Sequence, residues 1–336
     1  LVIFDTLFFP NKGAELSLEM EFYAVRILLQ IESSSTSKSM QVKAFDLLKA
    51  ASKDKGVDVL CSTHFSNLIK IVSGPEIDSN NLAKTWTRTH PKCTLLKSCI
   101  KYLGPQCAQH GEMLHRIFKS VLYPDINSEL RIYMFALFDD LVEMGYFGAF
   151  LNTISGDVAE SILLPNLSWR VGRVASSIRK IALKCCQSMM RDDNVTKSIM
   201  THRCATLLIA TFLSCLEDDE SITRNTCCSI FTHICGVQSV LLSEDNAKEL
   251  ALALTKRLDD SSNKIRISAC KALVKLITRY SIYKEVMSIE YIVENLLIHL
   301  DDQSVNVRNS VYVCLSGIRD VSPGYVQSLA KKRVNH

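Results

Sequence analysis

Three spacings in the first third of the chain set cysteine beside histidine as a metal site would: Cys61-x-x-His64, His90-x-x-Cys93 and Cys107-x-x-His110, with Cys99 and His115 nearby. Tetrahedral zinc needs four such ligands converging on a point, usually from turns rich in glycine. These pairs lie on or beside segments whose apolar residues recur at helical spacing, so ordinary core or surface residues are the simpler reading. His110-Gly-Glu-Met-Leu-His115 has the composition of a metalloprotease helix. That chemistry requires histidines four apart, so that both nitrogens reach one metal from one face; five apart turns them by roughly 140°. The sequence has no Gly-x-Ser-x-Gly elbow, no glycine-rich phosphate loop ending in Lys-Ser/Thr and no dinucleotide fingerprint. It reads as a protein without catalytic residues, cofactor or metal.

The elements around these residues must be helices. Among 336 residues there are 12 Gly and 7 Pro, while apolar residues reach 47% and aromatic residues only 7%. Few chain breakers with abundant aliphatic residues imply packed helices rather than sheets with many tight turns. The thirteen cysteines are odd in number, and Cys185/Cys186 and Cys227/Cys228 sit inside helical patterns; they read as small reduced hydrophobes of a cytoplasmic protein. The net charge of +4 is spread along the chain, which gives no basic face able to neutralise several phosphates, so nucleic acid is not an expected partner. No apolar run reaches the roughly 18 to 20 residues of a membrane span, and Thr206–Leu216 is too short, so no membrane partner is expected. The chain begins at Leu1 with an apolar stretch, Leu1 to Phe9, ending at Pro10, and reads as a fragment starting within a longer protein.

A repeat organises the second half. LEDDESITRNTCCSIFTHI from Leu216, LDDSSNKIRISACKALVKLI from Leu258 and LDDQSVNVRNSVYVCLSGI from Leu300 start 42 residues apart. In this register Arg224, Arg266 and Arg308 align, followed at +4, +7 and +10 by Cys228/Cys270/Tyr312, Phe231/Leu273/Leu315 and Ile234/Leu276/Ile318. Such spacing puts an apolar stripe on one side of a helix, and the acidic turn before it supplies capping oxygens. Arg179 and Arg131 begin similar stripes, Leu183/Cys186/Met189 and Phe135/Phe138/Leu141, so the intervals between arginines run 48, 45, 42 and 42. Val42, Phe45 and Leu48 suggest a further second helix. Loops are expected at Glu32–Lys38, Ser73–Asn81, Leu103–Gln106 and Tyr123–Asn127. One helix pair cannot bury its stripe alone, so units must stack. The expected fold is all-α, an α-solenoid of stacked antiparallel helix pairs, with irregular repeats over 1–155 and more regular ones over 156–336 in one continuous array.

The units resemble HEAT repeats, in which a turn Asp and an Arg at the start of the second helix form a ladder; here the pairs are Asp218/Arg224, Asp260/Arg266 and Asp302/Arg308, each six apart. That resemblance implies that Arg266 bonds Asp260 of its own unit or Asp218 or Asp302 of a neighbour. Leu164-Pro165-Asn166-Leu167-Ser168-Trp169-Arg170-Val171-Gly172-Arg173, continuing to Ile178-Arg179, resembles a segment of the HEAT-repeat dynein axonemal assembly factors, as do Lys256-Arg257-Leu258-Asp259-Asp260 and Ile298-His299-Leu300-Asp301-Asp302. The likeness is clear over about 160 to 325 and thin upstream. It implies the C-terminal part of a cytoplasmic scaffold for pre-assembly of dynein arms, with axonemal dynein chains and assembly chaperones or co-chaperones as partners. Two other functions belong to this architecture. A transport adaptor would have a strongly acidic inner face, whereas this chain is mildly basic, and a di-iron hydroxylase would repeat adjacent His-Glu pairs, of which there are none.

Candidate protein-binding residues follow from composition. Trp169 with Arg170 and Arg173 has the make-up of a binding hot spot, although packing of Trp169 into the first helix of its unit is the preferred reading. Lys264, Lys271 and Lys275 should face solvent on a second helix, and Leu273 should face inward. Met144 to Phe150, aromatic and uncharged, suits either an exposed docking patch or a cover over the core. Lys331-Lys332-Arg333 reads as a solvated end.

Overall fold

The scarcity of breakers and the 3.6-residue periodicity produce helices along the whole described chain. The computed structural model describes residues 17–34, 37–52, 55–77, 86–281, 288–321 and 323–334, and no strand occurs among them. The Leu1 to Phe9 stretch lies outside the described residues, as do parts of the loops expected at 32–38 and 73–81. Contacts group into two compact units, Leu1–Ile154 and Ser155–His336, each an all-α stack of helix pairs.

In the first unit, α1 (Leu18–Ser34) packs on α2 (Lys38–Ala51) and on α4 (Pro91–Leu103), while α3 (Val57–Ile77) packs on α4 and on α5 (Gly111–Val121). Then α6 (Ser128–Glu143) follows, started by Asn127, whose side chain accepts the amides of Glu129 and Leu130 at 3.0 and 3.1 Å. Two sequence expectations fail here. The stretch from Ser73 is not a simple loop, because α3 continues to Ile77 across a kink at Gly74. On α2 the buried residues are Ala44 and Leu48, whereas Val42 and Phe45 are exposed. Phe45 lies instead against Tyr102, with ring centroids 6.4 Å apart. The Gly-Pro turn at 103–106 is the start of a 3-10 helix, Gly104–His110.

The second unit is built on second helices α9 (Arg173–Met189), α12 (Ser221–Gly236), α14 (Asn263–Arg279) and α16 (Val305–Val321). Their partners are the short α8 (Leu164–Leu167), α10 (Asp193–Thr201) with α11 (Ala205–Cys215), α13 (Glu244–Lys256), α15 (Ile289–Ile298) and α17 (Pro323–Val334), while α7 (Phe150–Val158) runs across the boundary of the units. Asp192 caps α10 and Ser243 caps α13 with their side-chain oxygens. The second helices stack directly, α9 on α12, α12 on α14 and α14 on α16. Ile265, Ala269, Leu273, Leu276 and Ile277 make the buried stripe of α14. Gly317 lets α16 approach, since a Cβ there would lie 2.4 Å from Val274 Cγ2. Tyr280 ends α14 and braces the connection before α13: its hydroxyl donates to the Val240 carbonyl at 3.1 Å and accepts the Leu242 amide at 3.2 Å.

Among the aligned stripe positions Tyr312 departs, standing 67% exposed while Val311, Cys314, Leu315 and Ile318 bury. In α12 and α14 the corresponding Cys228 and Cys270 are buried, each helix being followed by another second helix stacked upon it. Among the described residues no further second helix follows α16. No single helix among the described residues is long and apolar enough to cross a membrane.

Candidate functional site

The ladder is assembled from turn to helix. Each turn aspartate first fixes its own backbone: Oδ1 of Asp218 accepts the Glu220 amide at 2.9 Å, that of Asp260 the Ser262 amide at 3.1 Å, and that of Asp302 the Ser304 amide at 2.8 Å. The acidic turn therefore bonds the residue that opens the helix rather than the amides one turn inside it. The second carboxylate oxygen is then aimed at the preceding unit. Arg179 Nε donates to Asp218 Oδ2 at 2.6 Å, Arg224 grips Asp260 with two bonds of 2.7 and 3.0 Å, and Arg266 Nη1 lies 2.9 Å from Asp302 Oδ2. Each pair thus joins one unit to the next, and none joins the two members that stand six apart in sequence.

Arg224 Nη1 also donates to the carbonyls of Asp218 and Asp219, and Arg308 Nη1 to those of Asp302 and Gln303. Arg266 instead uses the Asn263 side chain. Arg308 has no forward aspartate among the described residues. Arg179 is a rung that the six-residue spacing does not reveal, because position −6 from it is Arg173; its 45-residue interval to Arg224 is the sequence signal. Burial works against the charge of Asp260, but the Arg224 guanidinium and the Ser262 amide outweigh it and hold the carboxyl below its ordinary range. Arg257 adds a second cation, 3.5 Å from Asp260 and 3.2 Å from Glu217.

Lys264, Lys271 and Lys275 all stand exposed on α14. Acidic residues are unevenly shared among the helices of this unit. Helices α9, α12 and α14 contain no acid, and α16 only Asp320, whereas α13 and α15 carry Glu244, Asp245, Glu249, Glu290 and Glu294.

Trp169 does not pack into its first helix: it is 63% exposed, and Val171 beside it 84%. Arg170 and Arg173 are exposed in the same stretch, which turns into α9 at Gly172 with φ 109°, a conformation that favours glycine. The Met144 to Phe150 stretch divides. Met144 is exposed, while Phe147 is buried with its ring centroid 5.6 Å from that of Phe138. Lys331 is exposed, and the side chains of Lys332 and Arg333 lie outside the described residues.

The cysteine and histidine pairs of the first unit are drawn to other partners. His64 Nε2 is 2.7 Å from Glu21 Oε1, and His110 meets the Phe65 ring edge-on at 4.4 Å, its basicity lowered by burial. Burial pushes the thiols of Cys61, Cys93 and Cys107 up to about 12, so at neutral pH they are protonated and poor ligands. Among the described residues no group of three or more His, Cys, Asp or Glu is placed to hold a metal ion.

No family model matches the chain. It is similar to proteins named dynein axonemal assembly factor 5. Identity is 25% over 330 residues to that of Xenopus laevis, covering 95% of this chain and 38% of the relative, and 24% over 302 residues to that of Homo sapiens, covering 85% and 34%. The likeness therefore extends well upstream of residue 160, and the chain spans about a third of the length of these relatives. Among solved structures it is similar to an engineered protein (TM-score 0.49, 15% identity, 88% of this chain and 97% of that one) and to a Kap121p mutant (TM-score 0.44, 15% identity, 99% and 35%).

Proposed function

We propose that this chain is a non-enzymatic cytoplasmic scaffold that holds axonemal dynein chains and their assembly chaperones together while dynein arms are put together, without metal or nucleotide. The observation that carries the reading is the likeness to dynein axonemal assembly factors along 95% of the chain. The stack of helix pairs supports it physically, because an array of this kind offers an extended surface whose solvent-facing residues are free of the core. Lys264, Lys271 and Lys275 are such residues, and with no acid on α14 they suit an acidic face of a client. Trp169, Arg170 and Arg173 supply a second contact region of the composition that dominates binding energy. Clients met during assembly must be released, so micromolar affinity, about 8 kcal/mol, is sufficient.

Reversing Lys264, Lys271 and Lys275 to glutamate should reduce capture of dynein chains from ciliated-cell cytosol, read by mass spectrometry, while helical circular dichroism and Tm stay unchanged. A wild-type chain that retains RNA or transport cargo and no dynein assembly protein overturns the reading.

A further inference from the structure

Three of the four second helices in the 155–336 unit receive an anion from their own turn, through Asp218, Asp260 and Asp302. Helix α9 receives none. Gly172 at its N-cap has no side chain, and the position equivalent to those aspartates is Arg173. A helix start attracts negative charge through its unpaired amides, and here two cations stand around it. Arg170 and Arg173 are exposed and pair with no acid among the described residues. The backbone of residues 169–171 likewise makes no backbone hydrogen bond among the described residues.

Arg179 differs from its counterparts for a related reason. Helices α12 and α16 begin three residues before their ladder arginines, which leaves the carbonyls at −6 and −5 turned toward Nη1. Helix α9 begins six residues before Arg179, so those carbonyls belong to the helix. Nη1 of Arg179 is left buried with no acceptor. Arg179 lines a cavity of about 310 Å³ together with Leu167, Trp169, Thr211, Ser214 and Asp218. An uncovered indole, two unpaired arginines, an uncapped helix and a buried donor without an acceptor therefore meet at one place.

We propose that the start of α9 is the docking site for an acidic segment of a partner protein: its carboxylate is held by Arg170, Arg173 and the α9 amides, and a neighbouring apolar side chain packs on Trp169 over the cavity. The partner's acid takes the place of the aspartate that the other turns supply from within. Trp169 and Val171 fix the requirement for an apolar neighbour, since an acid alone would leave both apolar side chains in water. The inference rests on the scaffold reading only in that the ligand is a protein. It does not depend on that protein being a dynein chain.

Random dodecapeptides displayed on phage, selected against the chain and then synthesised with a fluorescent label, test it by polarisation titration. Enriched peptides should carry Asp or Glu beside Leu, Ile, Phe or Trp. Joint Arg170→Glu and Arg173→Glu, and separately Trp169→Ala, should each weaken them by about tenfold or more. Arg173→Asp, which supplies the acid from within, should weaken them as well, and Lys248→Glu on α13 should leave affinity unchanged. All these positions are exposed, and circular dichroism checks that the fold is kept. Selection of basic peptides, of no peptide, or of acidic peptides indifferent to the Arg170 and Arg173 reversals overturns the proposal. Each of those outcomes leaves the dynein reading to be decided by its own capture experiment.

Discussion

The 155–336 unit repeats one buried Arg–Asp pair between successive second helices, whereas the 1–154 unit joins its helices by single ion pairs, His64 with Glu21 and Lys101 with Glu32, and by ring contacts that do not repeat. Arg179–Asp218, Arg224–Asp260 and Arg266–Asp302 link successive pairs in the former. In the latter, Phe118 meets Phe138 at 5.1 Å, Phe138 meets Phe147 at 5.6 Å, and Trp86 stacks on His90 at 5.1 Å. A guanidinium gripping a carboxylate demands a fixed offset between units, because two short bonds must align. Rings packing at 5 to 6 Å tolerate several orientations. The ladder therefore accompanies the closely similar intervals of 45, 42 and 42 residues between its arginines.

The largest effects should come from removing one member at the centre of each arrangement. The side chains of Arg179 and Asp218 are only 5% and 2% exposed, so Asp218→Ala strands a buried cation and should cost about 3 to 5 kcal/mol. Phe138→Ala should cost a similar amount, about 3 to 5 kcal/mol, through lost burial and a cavity. The two are separated by hydrogen exchange. Protection should fall around α9 and α12 for the first and around α5 and α6 for the second, since stacked units couple mainly to their neighbours. A uniform loss across the chain in either variant would show one cooperative globule in place of two differently joined stacks.

Acid sharpens the contrast. The folded pKa of Asp260 lies below its ordinary value of 3.8, so the stabilisation it gives is present above that value and disappears as the pH falls through the folded pKa. As the pH is taken below 3.8, exchange protection should therefore weaken over α12 to α14 before it does over the ring cluster of α5 and α6. Simultaneous loss would mean that the ladder charge contributes nothing specific. The smallest effect is expected at Arg266, whose side chain is 21% exposed. Arg266→Ala should lower stability by about 1 kcal/mol and the neighbouring Lys264→Ala by about zero. Equal Tm shifts would remove Arg266 from the set of working rungs.

The sequence by itself determined the helices, the register of the repeat and the acidic turns before α12, α14 and α16. Spacings of three and four fix which side chains share a helix face whatever lies outside, and Leu273, Leu276 and Ile318 are buried for that reason. Tertiary structure decided which aspartate each arginine meets, because that depends on the offset between stacked helices and not on the six residues separating Asp260 from Arg266. It also decided exposure at the ends of a stripe. Tyr312 and Cys270 occupy the same register position, yet one is exposed and the other buried. Trp169 shows the same limit. Its sequence neighbours favour a packed indole, yet it faces water where α9 begins at Arg173, three residues earlier relative to its ladder arginine than α12 and α16 do, after the turn at Gly172.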